Sequence, residues 1–167
     1  MSERALTELL YGKGAHANPL SCVEDVPAEL AGRHLEGFPH SIWQLVGHMN
    51  YWMDYELRRI RGEAPKYPEH SGQDWPANSA PDGEQEWKKA VSQFGELLGR
   101  LAALAEASRE ELARVVEATD AYHTTHASTM RDVLWQTLVH NSYHLGQIAM
   151  LRRVLGAWPP ARGGDTW

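Results

Sequence analysis

The chain has 167 residues, a formal net charge of −6, 43% hydrophobic residues and one cysteine, Cys22. This length suits a single domain over residues 1–167 around one core, while the acidic balance with dispersed Lys and Arg argues against a nucleic-acid partner and one cysteine excludes an intrachain disulfide. No stretch of about eighteen apolar residues offers a membrane span, and MSERALTELLYGKG lacks the basic-then-apolar order of a signal peptide, so a cytoplasmic protein is expected.

Helix signals follow one another along the chain. Ser2 to Tyr11 carries Ala5, Leu6, Leu9 and Leu10 on one side, with Ser2 as N-cap and Gly12 as stop, and predicts a short first helix. PLSCVEDVPAELAG holds one or two helical turns at most, because Pro27 interrupts anything longer. Ser41 with Gln44 forms a capping box for a helix that runs to about Arg61, with Ile42, Leu45, Val46, Met49, Met53, Leu57 and Ile60 in a 3.6-residue period. APKYPEHSGQDWPANSAPDG gathers four prolines and two glycines and predicts a long irregular connection, a usual place for a functional lid.

Glu84 to Ala105 predicts a further long helix that packs on the one before it through Trp87, Val91, Phe94, Leu98 and Leu101. Ser108 and Glu111 suggest a second capping box, opening a short helix over REELARVV that the polar run EATDAYHTTHAS ends. Ser128 or Thr129 caps the last helix, which continues to about Leu155 before Gly156 and Pro159-Pro160. With no sustained two-residue alternation, the fold class is all-α, an up-down four-helix bundle with long connecting loops.

The chemistry lies in the last helix. His140 and His144 are four residues apart and project from nearly the same face. At about 100° per residue, His144 falls inside the apolar arc of Val133, Leu134, Leu138, Leu145, Ile148 and Leu151, and His140 at its edge. Polar groups on a buried face need partners, since each unsatisfied one costs about 1–3 kcal/mol. His48, beside Leu45 and Trp52 at the margin of the second long helix's apolar stripe, is the best third ligand. Three imidazoles leave a zinc ion one open position, as in a catalytic site. Spacing alone leaves a second reading open, in which core histidines donate to carbonyls or tyrosine hydroxyls. His123 and His126 in HTTH, and His16, His34, His40 and His70, sit at loop or helix-edge positions where solvated histidine is ordinary.

PHSIWQLVGHMNYW with LRRIRGE behind it, and TMRDVLWQTLVHNSYHLGQIAMLRRVLGAWPP, resemble the DinB-like family, also called the DinB/YfiT type. The resemblance spans most of the chain. It implies a four-helix bundle, often a homodimer, whose metal triad falls here on His48, His140 and His144, with a divalent ion such as zinc or nickel. It also implies a metal-dependent enzyme acting on a small molecule. The leading activity is S-transfer from a low-molecular-weight thiol to an electrophile; the alternatives are hydrolysis and non-catalytic binding of a metal or small ligand. The family name concerns damage-inducible expression and does not imply DNA binding.

No general base emerges from the residues, and catalytic groups beyond the metal triad stay unassigned. Gln147 and Asn141 are candidates to orient ligands, against a plain structural role. Asp54 and Glu56 follow His48 but suit solvated helix charges equally well. Trp43, Trp52, Trp87 and Trp135 belong to helices and suit core packing, while Trp75, Trp158 and Trp167 lie in loops, where an aromatic could close over a pocket. Arg152 and Arg153 complement the last helix's dipole, or hold a substrate carboxylate.

Overall fold

Residues 3–70, 72–117 and 128–164 are described by a computed structural model. Four helices make the bundle: α1 (Glu3–Leu10), α3 (Ile42–Ile60), α4 (Glu84–Ala105) and α6 (Met130–Val154), with single turns at α2 (Ala28–Ala31) and α5 (Arg109–Leu112). The α3 boundary is set by its capping box. The Gln44 N–H donates to Ser41 Oγ at 3.2 Å, and the Ser41 N–H donates to Gln44 Oε1 at 3.1 Å, so two N–H groups without helical partners are satisfied at once. Thr129 and Asp132 do the same for α6. The proposed Ser2 cap lies outside the described residues.

Packing follows the apolar stripes. α3 packs on α4 and α6, and α1 lies against α4. Met49 and Met53 of α3, Phe94 and Leu101 of α4, and Leu134 and Ile148 of α6 are completely buried, each contributing about 1.5–3 kcal/mol relative to exposure. Trp87 is buried with them and donates its Nε1–H to the Val26 carbonyl at 2.5 Å, so the only polar atom of a large core side chain is satisfied.

Two expectations for the stretch between α4 and α6 are corrected here. REELARVV is not helical throughout: α5 stops at Leu112, and Val115 and Val116 form a strand, β1, antiparallel to β2 (Ser128–Thr129). The β-branched valines favour extended backbone, and the Met130 N–H donates to the Arg114 carbonyl at 2.9 Å, so this short ladder delivers the chain to the α6 cap. Ser108 accepts from the Glu111 N–H, a cap without the reciprocal bond of a box. His123 and His126 lie outside the described residues.

Arg152 stands in the last turn of α6, where its charge complements the helix dipole as expected. Its guanidinium is buried and ion-paired with Asp25 at 2.8 Å, and it donates to the carbonyls of Cys22 at 2.9 Å and Ala157 at 2.7 Å. It therefore ties the N-terminal connection and the turn after α6 to the bundle and is committed to structure. Arg153 lies over the Trp158 ring, 4.8 Å from its centroid. Among the described residues, no helix is long and apolar enough to cross a membrane.

Candidate metal centre

α3 and α6 bring three imidazoles together. His48 and His144 are buried, His140 is half-buried, and one ligand nitrogen from each lies within 4.8 Å of the other two. The His140 Nε2 is 3.1 Å from the His48 Nε2 and 3.2 Å from the His144 Nε2. Both His140 and His144 belong to one face of α6, as the i, i+4 spacing requires.

The outer nitrogens fix the ring orientations. His48 Nδ1 lies 3.2 Å from the Asp74 carbonyl oxygen and 3.2 Å from the Asp74 carboxylate. His144 Nδ1 lies 2.8 Å from Gln147 Oε1. Each of these oxygens accepts, so both Nδ1 atoms carry the hydrogen and the Nε2 atoms present lone pairs inward. His48 and His144 thus aim two lone pairs at His140 Nε2, and a cation among the three nitrogens lets His140 contribute the third. This donor set therefore fits a divalent cation, and neutral imidazole nitrogens suit zinc, nickel and other late first-row metals. The three-histidine group could hold such an ion.

Burial first, then the neighbouring imidazoles, hold His48 and His140 down at about 4, against an ordinary 6.5; burial also lowers His144. The rings thus stay neutral and ligand-competent through the neutral range. Unfolded, they titrate near ~6.5, so below that pH the unfolded chain binds protons that the fold does not. The stability contributed by these rings in the metal-free protein is fully present above about pH 6.5 and is lost as the pH falls toward about 4. Urea midpoints of the metal-free protein are expected to fall from pH 7.5 to pH 5, and His140→Gln to flatten that slope. An unchanged midpoint would contradict the burial of neutral rings.

The long connection between α3 and α4 reaches over the triad. Besides meeting His48, the Asp74 carboxylate accepts from Trp52 Nε1 at 2.8 Å, so a helix residue one turn beyond His48 anchors the loop residue that orients it. Trp75 stacks between His40 and His48, with ring centroids 3.7 and 3.8 Å away, and meets His144 edge-on. This closes one side of the cluster to water. The approach is permitted by Gly47, where any Cβ would collide with the Pro76 ring. Carboxylate partners of ligating histidines typically change metal affinity ~10–100-fold. Asp74→Ala is expected to weaken zinc binding toward the lower end of that range, because the backbone carbonyl remains. Competition titration with a chromophoric chelator reads this directly.

On the other side the triad opens to a cavity of about 340 Å³, into which His48 and His140 project together with Trp52, Tyr67, Glu56 and Thr137. Tyr67 stands at the rim, and its ring centroid is 5.6 Å from that of Trp52. Glu56 is not the solvated helix charge that its sequence position allows. It is buried and paired with Arg59 at 2.7 Å.

The other sequence candidates separate cleanly. Gln147 orients His144, while Asn141 is a buried neighbour of the cluster. His16 Nδ1–H donates to the Ala17 carbonyl and its Nε2 accepts from Ser142, away from the triad. His34 and His70 are exposed, and Trp167 lies outside the described residues. Trp75 is one of the loop aromatics that the sequence marks as able to close over a pocket, and it lies on His48 and His144; Asp74 carries no mark of its own, and only the mid-helix Gly47 beside His48 signals that something approaches there.

An all-α bundle in which histidines from two facing helices converge at one end of a cavity defines a class of helical proteins equipped to hold a divalent ion. A model of the DinB superfamily matches residues 14–148, and the chain belongs to that superfamily. Among solved structures, a DinB-like protein from Bacillus cereus ATCC 10987 is similar, with 14% identity, 83% of each chain covered and a TM-score of 0.49. Comparison with curated proteins finds no match.

Proposed function

We propose that the chain is a metal-dependent enzyme that transfers a low-molecular-weight thiol to an electrophilic small molecule, with His48, His140 and His144 holding the ion, zinc or nickel. The observation that carries this reading is the convergence of the three imidazoles, two of which, His48 and His140, line the 340 Å³ cavity. A divalent ion bound by three imidazoles supplies an open position and stabilises the deprotonated form of the donor that enters it.

The surrounding residues favour a thiol over water as that donor. A divalent ion ionises water as well as a thiol at its open position, but hydrolysis gains further from a base within reach of the nucleophile. Glu56, the carboxylate lining the cavity, stands eight residues from His48, about 12 Å along the helix, and is ion-paired with Arg59. A thiol, with its ordinary pKa of about 8.5, ionises beside a cation without such help. The chain's own Cys22 is not the nucleophile: it is buried, and burial pushes its thiol up to about 11. The nucleophile is therefore a second small molecule. Its sulfur forms the new bond to an electrophilic carbon, the S–H proton passes to solvent, and the leaving group departs with the bonding pair. Trp52 and Tyr67 supply flat apolar walls for the reactants, Trp75 excludes water from behind His48, and Asp74 and Gln147 hold two of the rings in register.

The same proposal includes a cytoplasmic homodimer. Val139, Tyr143, Met150 and Val154 form a single exposed stripe along α6, each at least 50% accessible, and a second copy would cover it. The enzymatic reading is tested with a panel of small thiols and alkylating or epoxide electrophiles, run on metal-loaded and metal-stripped protein. Turnover that needs both thiol and metal supports it. Metal-dependent ester or amide hydrolysis without thiol would replace it with the hydrolase reading, and absence of turnover in both panels with metal bound would favour storage or sensing.

A further inference from the structure

A second cavity, of about 310 Å³, opens on the other side of α6 from the three histidines. Ser142, Leu145 and Ala149 form its floor, and His16 from the first connection and Trp158 from the segment after α6 close over it. At about 100° per residue, Ser142 stands roughly 160° around the helix from both His140 and His144, and the two cavities share no lining residue. A hydroxyl and an imidazole are paired inside this one. A helical serine often bonds back to the carbonyl four residues earlier, as Thr137 does to Val133. Ser142 instead meets His16, its Oγ lying 2.9 Å from Nε2. His16 Nδ1 is 2.8 Å from the Ala17 carbonyl oxygen. That oxygen can only accept, so Nδ1 carries the hydrogen, Nε2 holds the lone pair, and the Ser142 hydroxyl donates to it. The turn after α1 makes room for the ring: Gly12 has a φ of 77°, and a Cβ there would come within 2.7 Å of His16 Nδ1.

We propose that Ser142 and His16 form a second reactive site, independent of the metal, in which Ser142 is the nucleophile and His16 its general base, and that it takes small activated carboxylic esters. A nucleophile within hydrogen-bond reach of a base, a third group orienting that base, and a cavity of ligand size are the parts such a site needs. Ser142 Oγ bonds to the ester carbonyl carbon while its proton passes to His16 Nε2. The bond from that carbon to the leaving oxygen then breaks, and the departing alkoxide takes the proton from His16, so ester and serine become acyl-serine and alcohol. Water attacks the acyl-serine in the same way, giving up a proton to His16 that returns to Ser142, and the carboxylic acid leaves. Leu145, Ala149 and Trp158 favour an apolar acyl group, and Arg153, stacked on Trp158, brings a positive charge to the cavity that suits the tetrahedral oxyanion. The N–H groups of α6 around Ser142 are engaged within the helix, which restricts the reaction to esters with good leaving groups. Met150, at the rim, is the one lining residue shared with the exposed α6 stripe assigned above to a second copy.

The test treats full-length protein, zinc-loaded and chelator-stripped, with p-nitrophenyl butyrate and locates the butyryl group by peptide mass spectrometry over time. Ser142 is expected to be acylated about 100-fold faster than the exposed Ser79 and Ser108, the lower end of what a positioned base contributes, and at the same rate in both metal states. Ser142→Ala is expected to remove that adduct without changing the melting temperature. His16→Asn keeps an N–H donor for the Ala17 carbonyl but has no base, and is expected to slow acylation of Ser142 about 100-fold. His16 also pins the first connection to α6, so the wild-type ratio of Ser142 to Ser79 and Ser108 stands as a measure that needs no variant. Absence of acyl-Ser142, acylation of Cys22 in its place, a rate no greater than that of the exposed serines, or a rate unchanged in folded His16→Asn would overturn the inference. Acylation lost on stripping the metal would also overturn it, by assigning the ester chemistry to the three histidines.

Discussion

His144→Ala is expected to abolish stoichiometric binding of a divalent ion, a loss larger than the ~10–100-fold that follows from disturbing a residue behind a ligand. The reason lies in the arrangement of donors. His144 contributes one of three convergent Nε2 atoms and is held by Gln147, and no other described His, Cys, Asp or Glu joins the cluster as a ligand. Two imidazoles from different helices would then have to bind the ion with the remaining positions filled by water. The substitution should not unfold the bundle, because removing a ring whose burial disfavours its charged form also removes a mutual repulsion. Equilibrium titration with zinc, paired with thermal melts of the metal-free variant, separates the two effects. Binding within a few-fold of wild type would exclude His144 as a ligand.

The second large effect concerns the far wall of the cavity. Arg59→Leu is expected to destabilise the protein by about 3–5 kcal/mol, because it strands the Glu56 carboxylate without its cation in a low-dielectric site. The Arg59 side chain is 0% exposed and that of Glu56 7%, so water reaches the pair only through the cavity that Glu56 lines. For a domain whose total stability is about 5–15 kcal/mol, this approaches the limit of folding at 37 °C. Replacing both residues together, Glu56→Met with Arg59→Leu, should recover most of the loss, since a buried pair is often no more stabilising than apolar residues of similar volume. Urea denaturation of the two variants measures both quantities. An Arg59→Leu variant within 1 kcal/mol of wild type would show that Glu56 is solvated or otherwise compensated.

Those two residues also mark where sequence reasoning stops. Capping chemistry is local, so Ser41 with Gln44 announces the start of α3 directly, and Ser128 or Thr129 announces that of α6 to within one residue. The histidine pair is equally local, because four residues on one helix determine a shared face. His48 required one tertiary assumption, that the margin of α3 faces α6, and the family resemblance pointed to the same residue. Glu56 carries no such mark: at i, i+3 from Arg59 it has the spacing of an ordinary surface pair, and only the packing of neighbouring elements removes it from water.

The loop is illegible for a related reason. Where Asp74 and Trp75 come to rest depends on how closely Pro76 approaches α3, and that is decided by the missing Cβ of Gly47. A glycine inside a helical pattern signals close approach without naming what approaches. Val115 and Val116 look like the end of a helix in the sequence because two extended residues are too few to display a period, and their pairing with Ser128 and Thr129 spans the chain between them.

The central claim is that three neutral imidazoles from α3 and α6 bind one divalent ion at the inner end of a reactant-sized cavity. It is tested most directly by anomalous diffraction at the zinc and nickel edges from crystals of untagged protein reconstituted with each metal. A single strong peak within bonding distance of Nε2 of His48, His140 and His144 is the predicted result. No peak there in protein supplied with excess metal, with the three rings hydrogen-bonded to one another or to water, would contradict the account.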